Sequence, residues 1–269
     1  MNKKTTVTII NDCRDTNAVG RQQTRLASIL NCCSSFIGVN NDLEAAGNLI
    51  DSLDALGKSS GIILANIAPR GGKAKKWKNG SPFAWFKYKN TLVVSTIDGL
   101  TLSLVKKLKL TNQINILDTE IVLGKLVNSN KISKKQRNHI SRSQFRSYDF
   151  VPHIVEFLQS EESKLSKKVP IDKLPDAPKA IWWIDCFGNC KTTLLPEEIT
   201  DKANSIIQTR LGKIKHYPRL RDVPNGRTAL ITGSSGIESN RFVELIIQGG
   251  SAAKKYQLST GDTIFKTQT

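Results

Sequence analysis

Residues 5–10 are a short run of β-branched and apolar side chains and predict a strand. Residues 18–30 are compatible with a helix, and 43–56 place Leu43, Ala46, Leu49, Ile50 and Leu53 at helical spacing. Residues 61–68 form a continuous apolar run of the length expected for a strand buried on both faces, and 91–96 predict another. This order of elements predicts an α/β domain over residues 1–160. Residues 159–179 differ: Ser, Lys and Glu mix with Pro170, Pro175 and Pro178, which predicts a linker at 161–179. Beyond it, 180–185, 191–195, 228–232, 241–247 and 262–265 predict strands, several separated by glycine-containing turns. Only 197–211 and 251–258 have a helical pattern, so residues 180–269 predict a smaller, mostly-β domain.

Composition supports two unequal domains, since 269 residues exceed the usual size of one. A chain that is 39% hydrophobic and 23% charged has the balance of a soluble globular protein. Its apolar stretches fall short of the ~18 residues a membrane span needs. The opening MNKKTTVTIINDC lacks the apolar run of a secretory signal. Cys13, Cys32, Cys33, Cys186 and Cys190 show no paired CxxC spacing, which fits reduced thiols in a cytoplasm.

Charge changes this picture most. The net charge is +17, with 23 basic and 11 acidic residues in the first 160. Lys73, Lys75, Lys76 and Lys78 form one cluster; a second has six basic residues and no acid between Lys131 and Arg146. Such clusters concentrate polyanions, so a basic nucleic-acid-binding protein is one alternative. A solvated basic surface is the other and is favoured, because charge alone does not read bases.

The short catalytic motifs are absent: no P-loop, no GxGxxG after a strand, no GxSxG and no HExxH. His139, His153 and His216 are too scattered to suggest a metal site. Four segments in one order are more specific. They are Asn11-Asp12 after the first strand; Asn66 to Gly72 after the second; Thr96-Ile97-Asp98-Gly99; and, in the second domain, Asp185-Cys186-Phe187-Gly188-Asn189 followed by Val243-Glu244, Gly250-Ser251-Ala252-Ala253, Leu258 and Gly261-Asp262.

This order resembles the S-adenosylmethionine (SAM) hydroxide adenosyltransferase family, which includes the halogenating fluorinase and chlorinase enzymes. That family carries TDFG, DPGVG, PDNG and DxFGN segments and ends in a stretch like LEIAxNxGSAAxxLxxxxGD. The resemblance spans almost the whole chain, with its specific motifs in the second domain. It implies an α/β N-terminal domain, a barrel-like C-terminal domain, and a homotrimer with sites between subunits. The implied reaction is attack of water or hydroxide on ribose C5′ of SAM, giving adenosine and methionine, with no cofactor and no metal.

The resemblance also implies residue roles. Asp12 would hold the ribose diol; an Asx-turn or helix N-cap is the structural alternative. Asp185 would meet the substrate ammonium, Asn189 the adenine edge, and Phe187 the base. Here the alternative is a tight turn at Gly188 whose polar groups satisfy the backbone. Ser239, Asn240 and Arg241 fall where the methionine carboxylate would bind, or form a polar turn into a strand. Gly249 falls where backbone would approach adenine.

The departures lie in the first domain. The aspartate of DPGVG is replaced by Ala68, the family's arginine by Lys75, and the histidine of TFHGRD by Arg146. Lys75 and Arg146 are thus altered candidates for handling the attacking water. Asp98 stands one position after the aspartate site of PDNG, and His153 follows the changed histidine site. Arginine is effectively always protonated and cannot act as a base, and alanine cannot orient water. A relative that binds an adenosyl ligand with impaired catalysis is therefore the second reading. Nothing in the loop from Ala68 to Lys75 argues for a dehydrated halide pocket.

Overall fold

A computed structural model describes residues 5–68, 81–143, 145–160, 166–200, 202 and 204–265. The chain divides into two compact units, Met1–Pro175 and Asp176–Thr269.

The first unit is built on a seven-stranded sheet of order β2-β1-β3-β5-β4-β6-β7. Its strands are β1 (Thr6–Asn11), β2 (Cys33–Gly38), β3 (Gly61–Asn66), β4 (Phe83–Tyr88), β5 (Thr91–Thr96), β6 (Gln113–Leu117) and β7 (Ser166–Pro170). β2, β1, β3 and β5 run parallel, whereas β4 is antiparallel to β5 and β6, and β7 to β6. The helices are α1 (Thr16–Leu30), α2 (Asp42–Leu56), α3 (Ser103–Lys107), α4 (Thr119–Asn128), α5 (Lys134–Arg142), α6 (Arg146–Asp149) and α7 (Val151–Ser160).

The chain leaves β1 for β2 on one side and returns past β1 to β3 on the other. This is a topological switch point, which opens a crevice at the carboxyl ends of β1 and β3. One face of the sheet, carrying Val7, Ile9, Ile62, Leu64 and Val94, packs against Leu26 of α1, Leu123 of α4, Ile140 of α5 and Ile154 of α7. Burial on both faces explains why β1, β3 and β5 are nearly continuous apolar runs rather than alternating ones. Asp15 caps α1 by accepting from Ala18 N (3.0 Å), and Asn41 caps α2 by accepting from Glu44 N (2.9 Å).

The second unit carries a six-stranded sheet of order β10-β11-β12-β13-β9-β8. Its elements are β8 (Ile181–Ile184), β9 (Cys190–Thr192), β10 (Ile206–Thr209), β11 (Gly212–Tyr217), β12 (Thr228–Ile237), β13 (Asn240–Ile247) and the short helix α8 (Ala252–Tyr256). Its core gathers Ile181, Cys190, Ile214, Leu230, Val243, Leu245, Ala252 and Ile264. So the α/β first unit and the mostly-β second unit follow the sequence pattern.

Three local expectations are corrected. Residues 166–175, expected within a linker, belong to the first unit, where β7 pairs with β6 at the sheet edge. An edge strand tolerates exposed Lys167 and Lys168 and a terminal proline, so its composition reads as a linker. Residues 197–211, expected to be helical, form a 3-10 turn at Pro196–Glu198 and then strand β10. Glu198 accepts from Leu195 N (2.8 Å) and closes that turn, after which β-branched Ile206, Ile207 and Thr209 favour extended backbone. Residues 262–265 form no strand. They are nonetheless tied down, Asp262 O accepting from Ile181 N (2.8 Å) and Ile264 O from Arg210 N (2.8 Å).

Burial shifts the pKa of Cys190, His153 and His216. Burial pushes the Cys190 thiol up to about 12, helped by the nearby carboxylates of Asp185 and Asp262. Cys190 is therefore expected to resist alkylation in the folded protein at pH 8, where exposed Cys13, Cys33 and Cys186 react; mass spectrometry of the labelled chain checks this. Burial also lowers the pKa of His153 and of His216, and the Nδ1 atom of each is buried without a hydrogen-bond partner among the described residues. A histidine depressed on folding leaves the unfolded chain binding more protons, so the folded state is disfavoured as pH falls. Stability is expected to be fully present above about pH 6.5, the unperturbed value, and to decline below it in thermal melts from pH 8 to pH 5. His216→Gln should flatten part of that decline.

Candidate functional site

Polar residues end the central strands of the first unit and meet at one edge. The register sets Asn11 of β1 opposite Asn66 of β3 and opposite Gly38 of β2, and sets Phe83 of β4 opposite Thr96 of β5. Asn11 is fully buried; its Nδ2 donates to Gln22 Oε1 (2.8 Å) and its Oδ1 accepts from Cys13 N (2.9 Å). Asn66 Nδ2 approaches the same Oδ1 at 3.4 Å, and Thr96 Oγ1 accepts from Ile67 N (3.2 Å). These bonds fix the paths of the loops leaving β1 and β3.

Asp12 and Ala68 are brought together: Asp12 Oδ2 accepts from Ala68 N (3.1 Å). Asp12 therefore spans the mouth of the crevice, with one carboxylate oxygen anchored to the loop after β3. Ala68, where the resembled family has a carboxylate, is exposed beside it. Asp98 lies just past the end of β5 at the same edge and is half-buried. Its neighbour Gly99 has φ +74°, and a Cβ there would lie 2.1 Å from Asp42 Oδ2. That carboxylate also accepts from Leu100 N (2.8 Å), so Gly99 is required for α2 to dock against the loop.

Arg146 opens α6 and stands over the next strand. Its Cζ lies 5.1 Å from the Phe83 ring centroid, and its Nη2 donates to the Ser81 carbonyl. Burial lowers its pKa, yet a guanidinium remains charged. Phe83 is on β4, three strands from β1, about 14 Å across the sheet. Arg146 thus lines the same edge as Asp12 without reaching it. Lys75 lies outside the described residues. His153 sits on α7, where burial lowers its pKa and Arg25, Asp149 and Glu156 act on it electrostatically.

In the second unit the segment from Asp185 to Asn189 is a closed turn between β8 and β9. Asp185 Oδ1 accepts from Phe187 N (2.9 Å) and Asn189 N (2.9 Å), and Oδ2 from Asn189 Nδ2 (2.9 Å). Gly188 has φ +82°, and a Cβ there would lie 1.9 Å from Ser251 Oγ. Ser251 caps α8 by accepting from Lys254 N (3.1 Å), while Ala253 N donates to the Gly188 carbonyl (3.0 Å). Two motifs more than 60 residues apart in sequence are thus one packed unit. Phe187 is 74% exposed on its surface.

The other second-unit candidates divide. Gly249, with φ +78° and open space where a Cβ would go, lies in the turn after β13, the end at which β9 pairs. Ser239, Asn240 and Arg241 lie at the opposite end of β13, seven residues from Ile247, about 23 Å along the strand. Arg241 Nη1 donates to the Ser234 carbonyl (3.0 Å) and approaches that of Gly236 (3.3 Å), bracing the bulge in β12. The fold does not bring this trio to the Asp185–Asn189 turn.

Sequence reasoning did not single out Gln22, and it named Asn66 and Thr96 only as members of their segments, without a role. Their signal was weak: Asn66 and Thr96 each close an apolar strand and read as turns until their neighbours in the sheet are known, and Gln22 is one polar position within α1.

The SAM hydroxide adenosyltransferase C-terminal domain family matches residues 179–265, which include both packed motifs. Over that stretch the chain is similar to the family. The matched stretch contains Asp185, Asn189 and Gly249 at one end of its sheet. A comparison with curated proteins finds no match. Among solved structures, an uncharacterized conserved protein from Thermotoga maritima is 13% identical with a TM-score of 0.66, covering 95% of this chain and 98% of its own. A conserved hypothetical protein from Thermus thermophilus is 17% identical with a TM-score of 0.59, covering 96% of this chain and 97% of its own. At these identities the likeness shows the fold. No helix among the described residues is long and apolar enough to cross a membrane.

Proposed function

We propose that this protein binds SAM and cleaves it with water at ribose C5′, releasing adenosine, methionine and a proton. The observation that carries this reading is the packed unit of the Asp185–Asn189 turn and the Gly250–Ala253 segment, within the stretch that matches the adenosyltransferase family. Asp12, placed at a topological switch point, is suited to accept hydrogen bonds from the two ribose hydroxyls. The Asp185 carboxylate has lone-pair capacity beyond its three turn bonds and could meet an ammonium group, while Asn189 keeps an amide oxygen for an adenine edge.

The sulfonium is already a good leaving group, departing as a neutral thioether. The chain then needs chiefly to hold a water in line with the C5′–S bond. Ala68 cannot accept the proton lost by that water, and Arg146 is committed to Ser81 and Phe83. The proton passes to solvent, and the reaction runs without the ~10²–10⁴-fold help of a positioned base. Concentrated protein incubated with SAM should give equal amounts of adenosine and methionine above the buffer background, detected by chromatography. Asp12→Ala should weaken SAM binding about tenfold or more, by the loss of charge-assisted bonds to the ribose.

Assembly as a homotrimer and barrel-like closure of the second domain are parts of the same proposal. Support for closure comes from the Gly261–Ile264 stretch, which bonds to Ile181 on one side and to Arg210 after β10 on the other. Light scattering should return about three times the 29.8 kDa chain mass.

A second reading rests on Ala68 and on the committed Arg146: the protein holds an adenosyl ligand and does not turn it over. Calorimetric binding of SAM with no product at high protein concentration would select it. No binding of SAM or adenosine rejects both.

A further inference from the structure

The outer face of α1, α5 and α6 carries a hollow lined by Arg21, Arg25, His139, Arg142, Phe145 and Tyr148. Arg21 and Arg25 are four residues apart and share one face of α1. Both guanidinium groups converge on a single ring: Arg21 Cζ is 4.6 Å and Arg25 Cζ 4.4 Å from the Tyr148 centroid, and Arg25 Nη2 donates to Tyr148 Oη (2.8 Å). The Arg25 hydrogen bond, with the charges of Arg25 and Arg21, pulls the Tyr148 phenol below its ordinary value despite the opposing effect of burial. Arg21, Arg25 and Arg142 make this face cationic.

Asp149 is the one acidic residue among those lining the hollow, and its charge is engaged from within. It is only 9% exposed, accepts from Ser143 Oγ (2.5 Å), and lies 3.8 Å from His139 Nε2. Neither α1 nor α5 contains an acidic residue, and α5 adds exposed Lys134 and Lys135 to the same surface. Two cations held against one ring repel each other, and an anion seated between them relieves that repulsion. Beside them Phe145 is 71% exposed, an apolar ring on a cationic rim. A free phosphate has no use for such a ring. A nucleobase does, because every base offers a face for stacking.

We propose that this face binds single-stranded nucleic acid, with Arg21, Arg25 and Arg142 taking successive phosphates and Phe145 stacking on a base. The α5 helix extends the basic row over about 13 Å, the reach of about two nucleotides. The proposal does not depend on the reading of the adenosyl site, because none of these residues belongs to it.

The test uses the 269-residue chain and a fluorescein-labelled twelve-nucleotide oligouridylate, with heparin and inorganic pyrophosphate as competitors. Anisotropy should show saturable binding, weakening with salt at a log–log slope of about −0.7 for each phosphate contacted. R21Q/R142Q, which alters exposed side chains, should weaken binding about tenfold, while K213Q/K215Q, an equal charge loss on the second unit, leaves it unchanged. Phe145→Ala should weaken the oligonucleotide about fivefold or more and leave heparin binding unaltered. Melting curves matching the parent confirm that the variants fold. No saturable binding overturns the proposal, as does an equal effect of both double variants, which marks diffuse attraction. Displacement by pyrophosphate at equimolar concentration also overturns it, since the face then takes phosphate alone.

Discussion

Alanine at position 188 is expected to destabilise the second unit by about 3 kcal/mol, because two costs coincide at one atom. A non-glycine residue in the left-handed region costs roughly 1–2 kcal/mol. The new Cβ would also lie 1.9 Å from Ser251 Oγ and 2.6 Å from its Cβ, and Gly188 has φ +82°. Ser251 must then leave its place as the cap of α8, which forfeits about 1 kcal/mol more. Denaturant unfolding followed by tryptophan fluorescence should show a lower midpoint with an unchanged slope. The same substitution should abolish measurable SAM binding, because the turn carrying Asp185 and Asn189 loses its seat. A Gly188→Ala protein of parental stability that still binds SAM would show that this packing is dispensable and would remove the main support for the proposed function.

Phe83→Ala is expected to cost about 3–5 kcal/mol in the first unit, the usual range for truncating a buried phenylalanine. Phe83 is 2% exposed and packs its ring 6.3 Å from that of Phe150, between β4 and the α6–α7 region. It also supports the Arg146 guanidinium. Phe83→Leu keeps most of the apolar volume but loses the ring face, so it should cost less stability while still freeing Arg146. If Arg146 shapes the SAM site through that ring, Phe83→Leu should change SAM affinity more than it changes the melting temperature. An unchanged affinity in a stable Phe83→Leu protein would mean that Arg146 has no part in the site.

The buried strands β1, β3 and β5 were readable because each is an apolar run of strand length. β2 was not, since Cys33–Gly38 carries two serines and ends on glycine, and its pairing with β1 supplies what its composition lacks. β7 and β10 were misread for the same reason: edge strands satisfy half their backbone from one neighbour and leave the other side to polar residues. In the site, the motif around Asp185 could be recognised from its residues, and a tight turn at Gly188 was one of its two readings, but the packing of that turn on Ser251 was not legible. The division of the second-unit candidates between opposite ends of β13 was equally hidden, because a register is a relation between strands.

Local physics in the chain determined the two-unit plan, the buried central strands, the caps of α1 and α2, and the excess of positive charge, because each depends on residue type and short-range spacing. Tertiary structure alone decided that Asp12 meets the loop at Ala68, that Gly188 must be glycine to admit Ser251, and that Arg21 and Arg25 close on Tyr148. Those are contacts between segments distant along the chain, and their geometry is set by sheet order and helix packing, which no local pattern encodes.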